Sequence, residues 1–131
     1  MKHWSARAAL VGGAVTTVIM AGAGIAQADD TWLILSDRDG RQIGHMVHLD
    51  PDPDRFRICD DQRDGYGVTG TVYRWNGVGQ TGYWQSLESA TDGSDAGCDT
   101  ISVSITNYLH YRMVLCWDGP GDICTRVNFD E

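Results

Sequence analysis

Leu109-His110-Tyr111-Arg112-Met113-Val114-Leu115-Cys116-Trp117 is the stretch whose reading decides the fold. Leu109, Tyr111, Met113, Leu115 and Trp117 fall on every second position. Successive side chains of an extended chain point to opposite faces, so this is a strand with one face buried, whereas a helix would repeat its apolar residues at about 3.6. The same alternation runs outward in both directions. Ile101, Val103 and Ile105 alternate with Ser102, Ser104 and Thr106. Downstream, Ile123, Val127 and Phe129 alternate with Cys124, Arg126 and Asn128, and upstream Phe56 and Ile58 alternate with Arg55, Arg57 and Cys59.

Turn chemistry separates the runs. Asp37-Arg38-Asp39-Gly40 divides Trp32–Leu35 from Ile43–Leu49, and Asp50-Pro51-Asp52-Pro53-Asp54 is a stiff connector whose prolines cannot donate to a ladder. Asn76-Gly77 reads as the strongest hairpin signal, because both residues tolerate positive φ. Asp92–Gly97 reads as an exposed loop, and Gln85–Ala90 is the only mature stretch with helical character. The expectation is an all-β, small antiparallel β-sandwich, immunoglobulin-like or related, with about seven to eight strands.

The 131 residues amount to one domain. Residues 1–28 have the three parts of an export signal: Lys2 and Arg7 at the start, an uncharged Ala/Val/Gly-rich run over 8–25, and small residues in Ala26-Gln27-Ala28. The expected organisation is a signal-peptide helix over 1–28 and a single disulfide-stabilised domain over 29–131. Behind that signal stand eight basic residues against 18 acidic ones, a formal charge of −10. Such a charge excludes nucleic acid and anionic membrane surfaces as partners, since both require cationic faces.

Four cysteines behind an export signal predict two disulfides. Cys59, Cys98, Cys116 and Cys124 allow three pairings. The turn-rich segment between Cys116 and Cys124 would bring its ends within bridging distance, which favours Cys116–Cys124 and leaves Cys59–Cys98. In each strand the cysteine has the parity opposite to the apolar set, so both bridges belong at the periphery and not across the core. No cysteine pair has C-x-x-C spacing, so zinc–thiolate binding is disfavoured and no cofactor is expected.

Several segments then form a recognisable pattern. They are Phe56-Arg57-Ile58-Cys59-Asp60, Asp64-Gly65-Tyr66-Gly67-Val68, a cysteine before the Ile101 strand, Val114-Leu115-Cys116-Trp117-Asp118-Gly119, and Cys124. This pattern resembles a broad set of small secreted actinobacterial proteins of unknown function, over about Phe56 to Val127. The resemblance implies export and a disulfide-tied β domain. It implies no catalytic residues.

The chemistry-bearing residues narrow the function. Gly77-Val78-Gly79-Gln80-Thr81-Gly82 matches G-x-G-x-x-G but lacks the helix that a dinucleotide site requires. His45 and His48 sit on opposite faces of a strand and make a poor metal pair. Aspartates beside glycine suit calcium, with Asp60 and Asp64 the best local candidates. Aspartate is also the ordinary turn residue, and no segment completes an EF-hand loop. There is no G-x-S-x-G elbow and no lysine after position 28, so a small hydrolase would depend on Glu88 and His110. The bridged Cys116–Cys124 loop allows a protease-inhibitor reading. The leading expectation is a secreted, non-catalytic binding or interaction module for an extracellular glycan or protein. Tyr73, Trp75, Tyr83 and Trp84 are its candidate binding residues, because a row of rings can stack on sugars or anchor a partner.

Overall fold

The computed structural model describes residues 30–49, 54–93 and 97–130. The export-signal reading therefore lies outside the described residues. Eight strands follow in order: β1 (Thr31–Ser36), β2 (Gln42–Leu49), β3 (Arg55–Asp60), β4 (Val68–Val78), β5 (Thr81–Asp92), β6 (Cys98–Ser102), β7 (His110–Trp117) and β8 (Cys124–Asp130). They form two four-stranded antiparallel sheets, ordered β1-β2-β3-β6 and β5-β4-β7-β8. This order differs from the ABED and CFG sheets of an immunoglobulin domain, so the sandwich is a related one. The β1 edge approaches β8 and the β5 edge approaches β6, which shields strand edges that would otherwise template aggregation.

The core forms where the alternating sets predicted it. Tyr111, Met113 and Leu115 of β7 face Leu33, Leu35, Met46, Phe56 and Ile58 of the other sheet. Val68, Val72 and Phe129 complete the layer. His48, read from sequence as an ordinary strand histidine, is 2% exposed and stacks on Phe56 with centroids 4.5 Å apart. Asp54 Oδ1 lies 3.0 Å from His48 Nε2, so the buried ring nitrogen keeps a polar partner. Tyr111 accepts a hydrogen bond on its hydroxyl from the Thr106 amide at 2.9 Å, tying the start of β7 to the preceding connection.

Both disulfides are the expected pairs, Cys59–Cys98 and Cys116–Cys124. Each joins directly opposed residues on neighbouring strands of one sheet, β3 to β6 and β7 to β8. Neither crosses the core, as the parity of the cysteines required.

Two local readings need correction, and the one stretch with any helical character, Gln85–Ala90, is part of strand β5. A lone helical turn could not form there against the ladder that β4 offers along its whole length. The β4–β5 hairpin turns at Gly79-Gln80, closed by Val78 opposite Thr81, and not at Asn76-Gly77. Gly79 has φ +60° and Gln80 has no positive φ, the requirement of a type II′ turn. Gly77 instead sits within β4 opposite Gly82. The exposed loop read over Asp92–Gly97 does not begin at Asp92. That residue ends β5 with 3% exposure, and its carboxylate accepts the Asp60 amide at 2.6 Å. Residues 94–96 lie outside the described residues.

Candidate functional site

Strand β4 runs between β5 and β7, so the outward side chains of three strands meet on one face. Tyr73 and Trp75 of β4 point outward, with Trp75 directly opposite Trp84 of β5 and Tyr73 opposite Arg112 of β7. The two indoles lie 5.3 Å apart with planes at 57°. None of the three rings belongs to the core, and all are half-buried. The ring row read from the sequence is therefore a surface feature for Tyr73, Trp75 and Trp84.

Tyr83 does not join them. It is opposite Asn76, on the other face of the hairpin, and is 63% exposed. Adjacent strand residues cannot share a face.

The hairpin end is built to let Trp75 lie down. A Cβ on Gly77 would come within 2.9 Å of Trp75 Nε1, and one on Gly82 within 2.8 Å of Trp75 Cζ2. The indole thus lies across a floor of two glycines, and a side chain at either position would meet the hairpin backbone as well as the indole.

Two shallow depressions adjoin along this face. The first, about 470 Å³, is framed by Tyr73, Trp84, Arg112, Val114 and Arg126. The second, about 430 Å³, is framed by Trp75, Trp84, Gln80, His110, Asn128 and Asp130. Both volumes fall in the range of small-ligand sites, and Trp84 is the ridge between them. Arg112 lies over the Trp84 ring with its Cζ 4.0 Å from the centroid, and its Nε donates to Asn128 Oδ1 at 2.8 Å. Burial, and then the neighbouring charge of Arg126, lowers the Arg112 pKa from its ordinary value. His110 Nδ1 lies 2.6 Å from Asp130 Oδ1.

Arg112 and Arg126 are the site residues that sequence reading missed. The signal was available: they occupy alternate positions in the two most regular strands, on the parity opposite Tyr111, Met113 and Phe129. The opposite sheet presents a smaller apolar patch, Trp32 and Ile34, each 53% exposed, with Trp32 stacked on His45.

The other sequence candidates are dispersed. His45 meets Asp61 at 2.7 Å and His48 meets Asp54, on opposite faces of β2. Glu88 is exposed on edge strand β5 and lines neither depression, whereas His110 lines the second. The Cys116–Cys124 loop is folded back on the body: the Trp117 amide donates to Ile123 O, the Asp118 amide to Gly67 O, and Trp117 Nε1 to Asp64 Oδ2. Gly121 and Asp122 both take positive φ, so the tip turns and does not offer the extended strand that a protease cleft would hold.

Asp60 and Asp64 act as turn caps. Asp60 Oδ1 accepts the Gln62 amide at 3.0 Å and Asp64 Oδ1 the Tyr66 amide at 2.9 Å. Among the described residues no group of three or more His, Cys, Asp or Glu is placed to hold a metal ion. Burial pushes the Asp60 carboxyl up, the Gln62 amide pulls it back, and the charges of Asp64, Asp92 and Asp61 push it up further. A group that holds its proton more tightly when folded stabilises the fold below the ordinary carboxylate range. It loses that contribution as pH rises through its raised folded value. Asp60→Asn is therefore expected to raise the melting temperature at neutral pH and flatten its fall as pH rises above the ordinary carboxylate range. Thermal melts across that range check this, and an unchanged pH profile would show that Asp60 is not its source.

The fold and this face define a class: a small β-sandwich, each sheet stapled by one disulfide, with a ring-lined groove on an outer sheet face. Set against known protein families, curated proteins and solved structures, the chain matches none. Of what the resemblance implied, the two disulfides and the all-β domain are present.

Proposed function

We propose that this protein is a non-catalytic extracellular binding module that holds a carbohydrate on the outer face of the β5-β4-β7-β8 sheet. The carrying observation is that Tyr73, Trp75 and Trp84 stand together outside the core along two adjoining depressions. Indole and phenol rings present flat apolar surface at low entropic cost. Gln80, Asn128, His110 and Asp130 supply donors and acceptors beside them, the few convergent polar groups that orient a hydroxylated ligand. Two disulfides in a chain of this size fit an oxidising compartment, which supports the extracellular part of the reading.

Tryptophan fluorescence tests it. A soluble oligosaccharide panel titrated into the disulfide-bonded protein should shift the emission and protect it from acrylamide. Trp84→Ala should weaken the bound sugar at least tenfold, about 1.4 kcal/mol. Because Trp84 is outside the core, that change should cost the fold only about 1 kcal/mol. Trp84→Ala that unfolds the protein, or binding that is indifferent to it, would remove this face from the function.

A further inference from the structure

The proposed sugar-binding face has an unbalanced charge. The chain carries 18 acidic residues against ten basic ones, yet two arginines stand side by side on this face. Arg112 pairs across the ladder with Asn128, and Arg126 with Val114. The two are therefore diagonal neighbours, roughly 7–8 Å apart at their backbones. Among the described residues neither forms an ion pair, although sixteen aspartates were available to supply one. Arg112 is also held in place. The Trp84 ring supports its guanidinium plane and Asn128 takes its Nε–H, which leaves the terminal N–H groups without a hydrogen-bond partner among the described residues. A fixed fork of N–H donors matches a carboxylate in geometry and charge.

We infer that the ligand is an acidic saccharide, a uronate-containing glycan whose carboxylate sits between Arg112 and Arg126 while its ring packs on Tyr73 beside them. This rests on the carbohydrate reading above and names its ligand class. The rings favour a sugar over an acidic peptide, because the first depression joins two aromatic side chains to the arginine pair in one groove. The acidic body disfavours a dense polyanion such as nucleic acid, which it would repel at long range.

The test uses oligosaccharides of galacturonate, glucuronate and alginate type, each beside its carboxyl-reduced neutral form, and a glutamate-rich peptide, titrated by calorimetry into the disulfide-bonded protein. At least one acidic oligosaccharide should bind ten times more tightly than its reduced form. Arg126→Gln should abolish most of that difference. Arg126 is exposed and its side chain makes no hydrogen bond among the described residues, so the variant should fold normally. Arg112→Gln should also abolish most of that difference, with a change in Trp84 emission as well. Equal binding of acidic and reduced forms would overturn the inference and leave the carbohydrate reading standing. Binding of the peptide alone, or of no member of the panel, would overturn both.

Discussion

Phe56→Ala should destabilise the protein by about 3–5 kcal/mol, the cost of removing a fully buried aromatic ring from a packed core. Phe56 has no exposed surface. Its ring lies parallel to His48 at 4.5 Å, and Phe129 closes over the same group from the other sheet at 6.0 Å from Phe56 and 5.0 Å from His48. Phe56 is also central in its sheet, opposite His48 on β2 and Ile101 on β6. A domain of this size has about 5–15 kcal/mol to lose, so the variant should stand near the limit of folding. Urea denaturation measures this, with the midpoint falling and the slope unchanged. A loss below about 1 kcal/mol would mean that the two sheets do not meet through this stack.

The next largest effect should come from the long disulfide. Cys59 and Cys98 close a loop with sequence separation 39, and Cys116 and Cys124 one with separation 8. Chain-entropy arithmetic assigns about 3.9 kcal/mol to the first bridge and about 2.6 kcal/mol to the second. Structure adds to the difference. Within its sheet the five-residue β6 pairs only with β3, as an edge strand, so the bridge is its covalent anchor. Replacing both cysteines of each pair by alanine and comparing melts should place the Cys59–Cys98 variant lower. The reverse order would show that unfolded-chain entropy is not what these bridges act on.

Much of this architecture is legible in particular residues. The odd-numbered apolar set of β7 reads as a half-buried strand because burial on one face leaves no other period. The parity of Cys59 and Cys116 places the bridges within sheets, since a residue opposite the core-facing set cannot reach across the core. Aspartates beside glycine suit both calcium and turns, with turns the more ordinary use, and the structure uses Asp37, Asp60 and Asp64 to cap local backbone. Sequence cannot separate those uses, because both need a carboxylate beside a tight turn.

The binding face was only half legible, and the reason is one residue. The core end of β5 turns its even-numbered Ala90 and Asp92 inward, opposite Gly70 and Val68. Continued without interruption, that parity would send Trp84 inward and Tyr83 out. The ladder slips by one residue between Val72 and Tyr73, with Leu87 as the extra residue on β5. Beyond the bulge the faces exchange, so Trp84 joins Tyr73 and Trp75 and Tyr83 leaves them.

The sequence by itself determined the all-β class and most of the strands and favoured the two bridges that form, since periodicity and turn chemistry are local and four thiols allow only three pairings. Tertiary structure alone decided that β4 lies between β5 and β7, and that a bulge rotates the hairpin end. Those two facts bring Trp84 under Arg112 and place Arg126 beside it. They depend on strand order and register, which are set by how two sheets bury each other's faces and not by any one segment's pattern.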